Sequence, residues 1–203
     1  MSCIRVSGTG DPTSDTSFSN WAGDIEIHPT SIFQPDSIDR LVAIVKAAET
    51  AHLSVHVVGS GWSFNDNFST PGFSTGVGSE PGFLVRTDAL NRILSNTMGA
   101  ATAANPVDPS AQDPVFVALT GAAKNRQLVH VEAGIKIHDL HDMLESMSIV
   151  KGTQHAHGFA LRTLGGSGGQ SLAGAISTST HGGDSIPPLP DMVHGIHLVA
   201  HCP

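Results

Sequence analysis

The segment from Leu164 to Asp184, LGGSGGQSLAGAISTSTHGGD, constrains the fold of this chain more than any other stretch. It holds seven glycines, four serines, two threonines and one histidine, with almost no bulky side chains. Such a segment cannot fill a core, but glycine lets bare backbone approach a ligand closely because it has no Cβ. Successive N–H groups in glycine turns form concave anion sites. The segment therefore predicts a site for a phosphate-bearing cofactor.

The composition is typical of a globular protein and argues against several classes of partner. Of the 203 residues, 39% are hydrophobic and 14% are charged. The net charge of −8, with only ten scattered Lys and Arg, argues against nucleic acid and anionic membranes, since phosphate contacts need clustered cations. No stretch approaches the roughly 20 apolar residues of a membrane span. No signal peptide is evident, and Cys3 and Cys202 predict no disulfide scaffold, so we expect a cytoplasmic protein.

Helical and strand patterns alternate along the chain. Residues 1–17 are polar and predict a flexible N-terminal arm, followed by a domain over 18–203. Helices are predicted at Pro35–His52, capped by Ser37 or Asp36, and at Ile137–Met147. Several strands are expected to pair as hairpins, which favours an α+β fold over a doubly wound sheet. The predicted strands are Leu53–Val58, Phe83–Arg86, Val115–Leu119, Gln127–Ala133 and Asp191–Ala200, with a turn or short helix at Asp88–Leu94.

A second glycine-rich turn, Gly59–Ser63, follows a predicted buried strand. The chain contains neither the GxxxxGK[ST] phosphate loop nor a GxGxxG that opens a helix, so nucleoside triphosphate hydrolysis and a Rossmann site have no support. Alone, this turn is equally well explained as a plain β-turn. Its presence about a hundred residues before the long glycine segment favours a ligand that the two share.

Five motifs, in this order along the chain, carry a resemblance to a known family. Together they resemble the FAD-binding, PCMH-type domain of the vanillyl-alcohol oxidase family, and within it most of all the aldonolactone and alditol oxidases. The resemblance covers about residues 19–201. The motifs are SNWAG (Ser19–Gly23), VVGSGWSFN (Val57–Asn65), HVEAG (His130–Gly134), GGQSLAGAISTSTHGGD (Gly168–Asp184) and PDMVHGIHLV (Pro190–Val199).

The resemblance implies two small α+β subdomains with FAD extended between them, and an enzyme that passes hydride from a CH–OH group to the flavin. The implied substrate is an alcohol or a sugar-derived lactone or alditol. Members of the family usually continue into a substrate domain. Because this chain ends directly after a predicted strand, we expect a fragment or one partner of a two-chain assembly, and the catalytic residues cannot be assigned.

The resemblance also implies which residues hold the cofactor. The two glycine-rich segments would wrap the pyrophosphate and ribityl chain, and the backbone near Val199 would meet the adenine. Hydroxyl groups of the long segment would add hydrogen bonds to the diphosphate. The full implied set is Val58, Gly59, Ser60, Gly61, Trp62, Ser63, Gln170, Ser171, Gly174, Ala175, Ser177, Thr178, Thr180, His181, Gly182 and Val199.

Trp62 departs from the pattern of the family, in which many members have a histidine that bonds covalently to the flavin methyl group. A tryptophan cannot form that bond, so we expect non-covalent FAD unless His181 or another residue takes the role. Trp62 is expected either to pack along the cofactor or to be a plain core aromatic. His181 lies inside the glycine segment, where it would either position the flavin or transfer a proton.

The sequence leaves two alternative functions open and raises the question of one other class of ligand. One alternative is an FAD-dependent oxidase of a sterol or aromatic alcohol, and the other is a flavin-binding module with no turnover of its own. The twelve histidines invite a metal site. Their spacing does not bring three or four ligands together, because a strand alternates its side chains between two faces, so no metal is predicted.

Overall fold

The computed structural model describes residues 8–65, 82–96, 127–146, 149–151, 154–156, 158–183 and 185–200. The chain divides into two compact units, each of which mixes helices and strands. The first unit comprises Met1–Leu90 with His197–Pro203, and the second comprises Asn91–Ile196.

The first unit is built on a parallel sheet of three strands in the order β3-β5-β4. Parallel neighbours cannot be joined by a tight turn, and a helix lies between β3 and β4 in the sequence. The strands of this sheet are therefore not paired as hairpins, and a short antiparallel pair, β1 and β2, precedes the sheet. The elements are β1 (Phe18–Ser19), β2 (Glu26–Ile27), β3 (Ser31–Phe33), α1 (Ile38–Ala51), β4 (Ser54–Val58) and β5 (Gly82–Arg86).

Helix α1 begins and ends where its sequence has cap residues. The Ser37 hydroxyl accepts a hydrogen bond from the Arg40 backbone N–H at 3.4 Å, as the predicted cap requires. The helix ends at His52, which takes the left-handed conformation with φ of 53°. The predicted helix is confirmed, with slightly narrower bounds.

The sheet of the first unit is buried on both faces, which explains the continuous apolar run of β5. Alternate residues of each strand point to opposite faces. One face packs against α1 through Phe33, Phe83, Val85, Ile44, Ala47 and Ala48, and the other packs against the β1–β2 pair through Ile27, Ile32, Val58 and Leu84.

Residues 8–13 of the predicted flexible arm contact this unit. Thr9 is buried, with 3% of its surface exposed. The Thr13 backbone N–H donates to the Ile32 carbonyl at 2.8 Å. This part of the arm is therefore attached to β3.

In its described residues, the second unit combines two antiparallel strand pairs with two α-helices. Strand β7 pairs with β6, while the predicted strand Val115–Leu119 lies outside the described residues. Strand β6 also occupies the end of Asp88–Leu94, so the turn or helix predicted there is wrong from Ile93 onward. The elements are β6 (Ile93–Asn96), β7 (Val129–Val131), α2 (Ile137–Ser146), β8 (Ile149–Lys151), β9 (Gln154–Ala156), α3 (Leu172–Ser177) and a 3₁₀ helix (Leu189–Met192).

Two predictions about the second half of the chain need correction. The glycine segment does contribute to a core, because it contains α3 and buries Ala175 against Ile137 and Leu189. The strand predicted at Asp191–Ala200 is wrong. A 3₁₀ helix with proline in its first turn begins this stretch, and no strand pairs with residues 193–200 in the described part of the chain.

Within the described residues, no helix is long and apolar enough to cross a membrane.

Candidate functional site

The second unit holds an open cleft of about 400 Å³ built entirely from the glycine segment. The sequence predicted four of its lining residues, Gln170, Thr178, Thr180 and His181. It missed the other four, although the glycine density of the segment was a signal for them. These are Gly165, Gly166, Ser167 and Ser179.

The floor of the cleft is fixed to the start of α2. The Ile137 N–H donates to the Gln170 carbonyl at 3.0 Å, and the His138 N–H donates to the Gly168 carbonyl at 3.0 Å. The Nδ1 atom of His138 lies 2.8 Å from the same Gly168 oxygen. A Cβ at Gly168 would lie 2.9 Å from the His138 Cβ, so this contact requires glycine.

The opposite wall is fixed by the backbone of Thr180. Its N–H donates to the Ala175 carbonyl at 2.9 Å, and its carbonyl accepts from the Leu189 N–H at 2.9 Å. The Thr180 methyl group packs against Gly165, where an added Cβ would come within 2.5 Å of it. The glycine is therefore what lets the two walls approach.

Backbone donors are available at one end of the cleft. The N–H groups of Gly165, Gly166 and Ser167, which line it, donate to no protein acceptor among the described residues. Backbone donors of this kind are available to an oxyanion such as a phosphate, because each N–H carries a fixed partial positive charge.

Several residues implied as cofactor contacts either lie outside the cleft lining or use their hydroxyl groups within helix α3. Ser177 donates its hydroxyl to the Ala173 carbonyl at 2.8 Å, and Thr178 donates to the Gly174 carbonyl at 3.0 Å. These hydroxyls are committed to helix α3 rather than free for a diphosphate. Ser171 and Ala175 are buried, and like Gly174, Ser177 and Gly182 they do not line the cleft.

His181 lines the cleft and is exposed to solvent. Its Nδ1 lies 2.7 Å from the Gly182 carbonyl oxygen, which can only accept a hydrogen bond. The Gly182 N–H in turn donates to the Thr163 hydroxyl at 2.9 Å. These bonds fix the backbone beside the ring. Val199, implied at the adenine, is partly buried in an irregular stretch of the first unit.

In the first unit, the glycine turn Gly59–Ser63 directly follows β4. Gly61 has φ of +64°, and a Cβ there would lie 3.0 Å from the ring of Phe18. The Gly61 carbonyl accepts from the Trp21 N–H at 2.7 Å. The N–H groups of Gly61, Trp62 and Ser63 donate to no protein acceptor in the described part of the chain. This turn therefore also presents backbone donors.

Asn20 holds the turn in place and was missed as a site residue, although it lies in the quoted SNWAG motif. Only 4% of its surface is exposed. Its amide nitrogen donates to the Ser63 carbonyl at 3.0 Å and to Asp24 Oδ1 at 2.7 Å. Its amide oxygen accepts from the Ile25 N–H at 3.1 Å. One buried side chain thus ties the β1–β2 loop to the glycine turn.

Trp62 is not a core aromatic, because it is only partly buried and stacks on an exposed neighbour. Its ring centroid lies 5.1 Å from that of Trp21, with 20° between the planes. Phe64 meets Trp21 edge-on at 6.2 Å. Trp21 and Phe64 are exposed by 62% and 73%. We call Trp21, Trp62 and Phe64 the aromatic cluster.

The glutamate of the HVEAG motif is structural. Glu132 is buried and takes a two-pronged contact from the Arg92 guanidinium, with the shortest distance 2.7 Å. Its carboxylate also accepts from the Arg92 backbone N–H at 2.8 Å. This pair joins β7 to the residues before β6.

Among the described residues, one group of side chains has ligand atoms close enough to hold a metal ion. His141, Asp142 and Glu145 lie on α2 with one ligand atom each within 4.8 Å of one another, and the two acids are exposed. Exposed acidic groups of this kind are common without an ion, and the group lies outside the cleft lining.

The comparison with protein families identifies the family of the domain that contains the two glycine segments. Residues 29–201 match the family described as FAD binding domain, which covers most of the chain. The chain belongs to this family, and the predicted PCMH-type α+β fold and flavoprotein class are confirmed.

Relatives of known name are sugar-lactone oxidases. D-arabinono-1,4-lactone oxidase of Eremothecium gossypii is 32% identical over 81% of this chain and 23% of its own length. The Kluyveromyces lactis protein of the same name is 31% identical over 85% of this chain and 25% of its own length. L-gulonolactone oxidase of Scyliorhinus torazame is 27% identical over 81% of this chain and 27% of its own length. The chain spans about a quarter of the length of these relatives.

Solved structures confirm the fold. Cholesterol oxidase from B. sterolicum has a TM-score of 0.54 at 14% identity, over 82% of this chain and 24% of that one. A solvent-stable cholesterol oxidase gives 0.53 at 21% identity, with the same coverage. At these identities the likeness concerns the fold and not the substrate.

Proposed function

We propose that this chain is the FAD-binding part of an oxidoreductase that oxidises a CH–OH group of a sugar-derived lactone. The observation that carries the proposal is the match of residues 29–201 to the FAD binding domain family, joined with relatives named as lactone oxidases at about 30% identity. The sterol alternative is supported by likeness of fold alone.

Both glycine segments support this role through their backbone. The cleft of the second unit offers the N–H groups of Gly165, Gly166 and Ser167, and the turn of the first unit offers those of Gly61, Trp62 and Ser63. Either group of donors suits a phosphate without any lysine or arginine, because oriented backbone dipoles carry the stabilisation. Gln170, Thr178, Thr180 and His181 then contact the bound cofactor from the cleft wall.

When bound, FAD supplies the hydride acceptor of the reaction. The residues of this chain hold and orient it. The buried Asn20 and the Trp21 N–H fix the first glycine turn, while the backbone bonds of His138 and Thr180 fix the second segment. The substrate-binding and proton-accepting groups belong to the portion of the relatives that this chain does not cover.

The FAD of this protein is held without a covalent bond. By the resemblance, Trp62 occupies the turn position at which many family members have the linking histidine, and the indole nitrogen is not nucleophilic enough to form a bond with the flavin methyl carbon. His181 lines the cleft, so it is the candidate tested first for a covalent link, with another residue as the alternative.

Acid precipitation tests the mode of attachment. Purified protein saturated with FAD is precipitated with trichloroacetic acid, and the flavin is measured in pellet and supernatant. We expect the yellow colour in the supernatant, both for the unaltered chain and for a His181→Gln variant. A yellow pellet that becomes colourless in His181→Gln would show a covalent link at His181 and refute non-covalent binding.

The activity itself is tested on the complete polypeptide to which this sequence belongs. Reduction of the flavin is followed anaerobically at about 450 nm, a band of the cofactor class, after adding D-arabinono-1,4-lactone, L-gulono-1,4-lactone, an alditol or cholesterol. Bleaching by a lactone supports the proposal. Bleaching by cholesterol alone, or by none of the four, contradicts it.

A further inference from the structure

Residues 8–15, which precede β1, lie along the outside of the first unit. The backbone of Gly8 approaches α1, where an added Cβ would lie 3.4 Å from the Ala43 side chain, and the next residue, Thr9, is buried. The match to the FAD binding domain family begins at residue 29, so this segment lies outside the matched domain. We call residues 8–15 the strap.

The strap contacts the sheet of the first unit at an edge strand. In the described part of the chain, β3 has β5 as its one neighbouring strand. The Thr13 backbone N–H donates to the Ile32 carbonyl of β3 at 2.8 Å. A strand edge with unpaired backbone groups can bind another strand, and proteins commonly cover such edges. The strap therefore lies where a further strand could pair with β3.

An ion pair attaches the last residue of the strap to the end of β5. The Asp15 carboxylate lies 3.4 Å from the Arg86 guanidinium, which Asp88 also contacts at 2.9 Å. The side chains of Asp15 and Arg86 are 49% and 31% exposed. Salt screens a pair that is this open to solvent, and such pairs contribute little to stability.

Polar rather than apolar contacts hold the strap in place. Thr9 is the one buried residue among residues 8–15, so the strap adds no buried apolar side chain to the core. Where the strap meets β3, Thr13 Oγ1 and Ser31 Oγ are buried without a hydrogen-bond partner among the described residues. Buried polar atoms without partners cost free energy. A segment attached in this way opens locally at a lower free energy than the core around it.

We propose that the strap opens as a unit while the sheet stays folded, and that its opening exposes the edge of β3 to a second copy of this chain. The Asp15–Arg86 pair is the contact that keeps it closed. The bond from Thr13 to the Ile32 carbonyl is of the kind that a strand from another molecule makes. Two β3 edges that pair antiparallel form a closed two-fold contact, so the product is a dimer. The inference concerns the first unit alone and does not depend on cofactor binding.

Amide hydrogen exchange measures the opening of the strap. Exchange of the Thr13 amide is compared with that of Phe83–Val85 in β5, at low salt and at about 1 M NaCl, where the screening length falls to about 3 Å. We expect the Thr13 amide to exchange faster than β5 and to accelerate with salt. In Asp15→Asn it should exchange about two- to fivefold faster at low salt, the range that an exposed ion pair allows, and lose its salt dependence.

Asp39→Asn is the matched control, because it neutralises another exposed carboxylate, in the first turn of α1. It should leave the exchange of the Thr13 amide unchanged relative to β5. A Thr13 amide as protected as those of β5 would mean that the strap opens only when the sheet unfolds, and the proposal would fail. It would fail equally if Asp15→Asn left the Thr13 exchange unchanged.

Sedimentation equilibrium tests the role of the exposed edge. Thr13→Pro removes the N–H that bonds Ile32, and Asp15→Lys places a cation beside Arg86, so the double variant holds the strap open. We expect it to dimerise at lower concentration than the unaltered chain, with Asp15→Lys alone intermediate, and the amides of Ser31–Phe33 to exchange more slowly as the dimer forms. A double variant that associates no more than the unaltered chain, or a dimer that leaves Ser31–Phe33 unprotected, would overturn the proposal.

Discussion

Thr180 and Gly165 face each other across the base of the cleft so closely that a Cβ on residue 165 would lie 2.5 Å from the threonine methyl group. Real Cβ atoms do not approach other atoms this closely. The wall that carries Thr180 is fixed by backbone hydrogen bonds on both sides, to Ala175 and Leu189, and cannot move away. The shape of the cleft therefore depends on glycine at this one position.

Gly165→Ala should damage the fold and the site together. Forcing the wall outward costs about 1–3 kcal/mol, typical of overpacking, and it displaces the residues that line the cleft. We expect a lower melting temperature and a loss of FAD affinity. The control is Gly183→Ala, where an added Cβ has no atom within 4 Å. Equal stability of the two variants would contradict the close contact.

Gly61→Ala and Gly23→Ala form a matched pair in the first unit. Both glycines have positive φ, +64° for Gly61 and +73° for Gly23. An alanine at either position must adopt the left-handed conformation, which costs roughly 1–2 kcal/mol. Only at Gly61 does the new Cβ also press on Phe18, at 3.0 Å. Urea unfolding should show Gly61→Ala to be the less stable of the two. A reversed order would mean that Phe18 does not pack on the turn.

Arg92→Ala should lower the free energy of unfolding by about 2 kcal/mol, because it leaves the buried carboxylate of Glu132 without its charged partner. Arg40→Ala is the control, since it breaks a pair with Asp36 in which both side chains are about half exposed. Such surface pairs contribute about 0–1 kcal/mol. Chemical denaturation of both variants measures the difference, and similar losses would contradict a structural role for Glu132.

His56 gives the stability a pH dependence in the mildly acidic range. Burial lowers the pKa of its imidazole from the ordinary value of about 6.5. The unfolded chain then binds the proton more readily than the folded chain does. The contribution of His56 to the free energy of unfolding is therefore fully present above the pKa of the unfolded state, and it is lost as the pH falls from about 6.5 toward the pKa of the folded state. His56→Gln should flatten the decline of melting temperature over that range. The exposed His28→Gln is the control, and an equal flattening there would contradict the assignment.

The sequence predicted those parts of the fold whose signals are local. The Ser37 cap and the apolar spacing of α1 determine that helix by themselves, and the apolar run of β5 requires a buried strand. Partner choice was not local. Strand β7 pairs with β6, and nothing in the period of either strand specifies this. The apolar pattern of 191–200 suggested a strand, but a proline-containing 3₁₀ helix begins this stretch and Ile196 and Leu198 are exposed.

Local signals likewise predicted part of the site, and non-local contacts determine the rest. Glycine density located the cleft, because glycine is needed where backbone meets backbone or ligand. It did not separate residues that line the cleft from those that pack behind it. Ala175 belongs to the core because α3 turns it toward Ile137, and that requires knowing where the helix begins. The role of Asn20 depends on contacts with Ser63, 43 residues away, which no local pattern contains.

If the glycine cleft holds FAD, Gly166→Ala should weaken cofactor binding without changing the stability of the protein. Gly166 lines the cleft, and an added Cβ there meets no protein atom within 4 Å, so the methyl group enters only the space for the ligand. The unaltered chain and the variant are titrated with FAD by difference absorbance, and both are melted without cofactor. We expect saturable binding of one FAD, about tenfold weaker binding in Gly166→Ala, and equal melting temperatures. Equal FAD affinity in the two proteins would contradict the account.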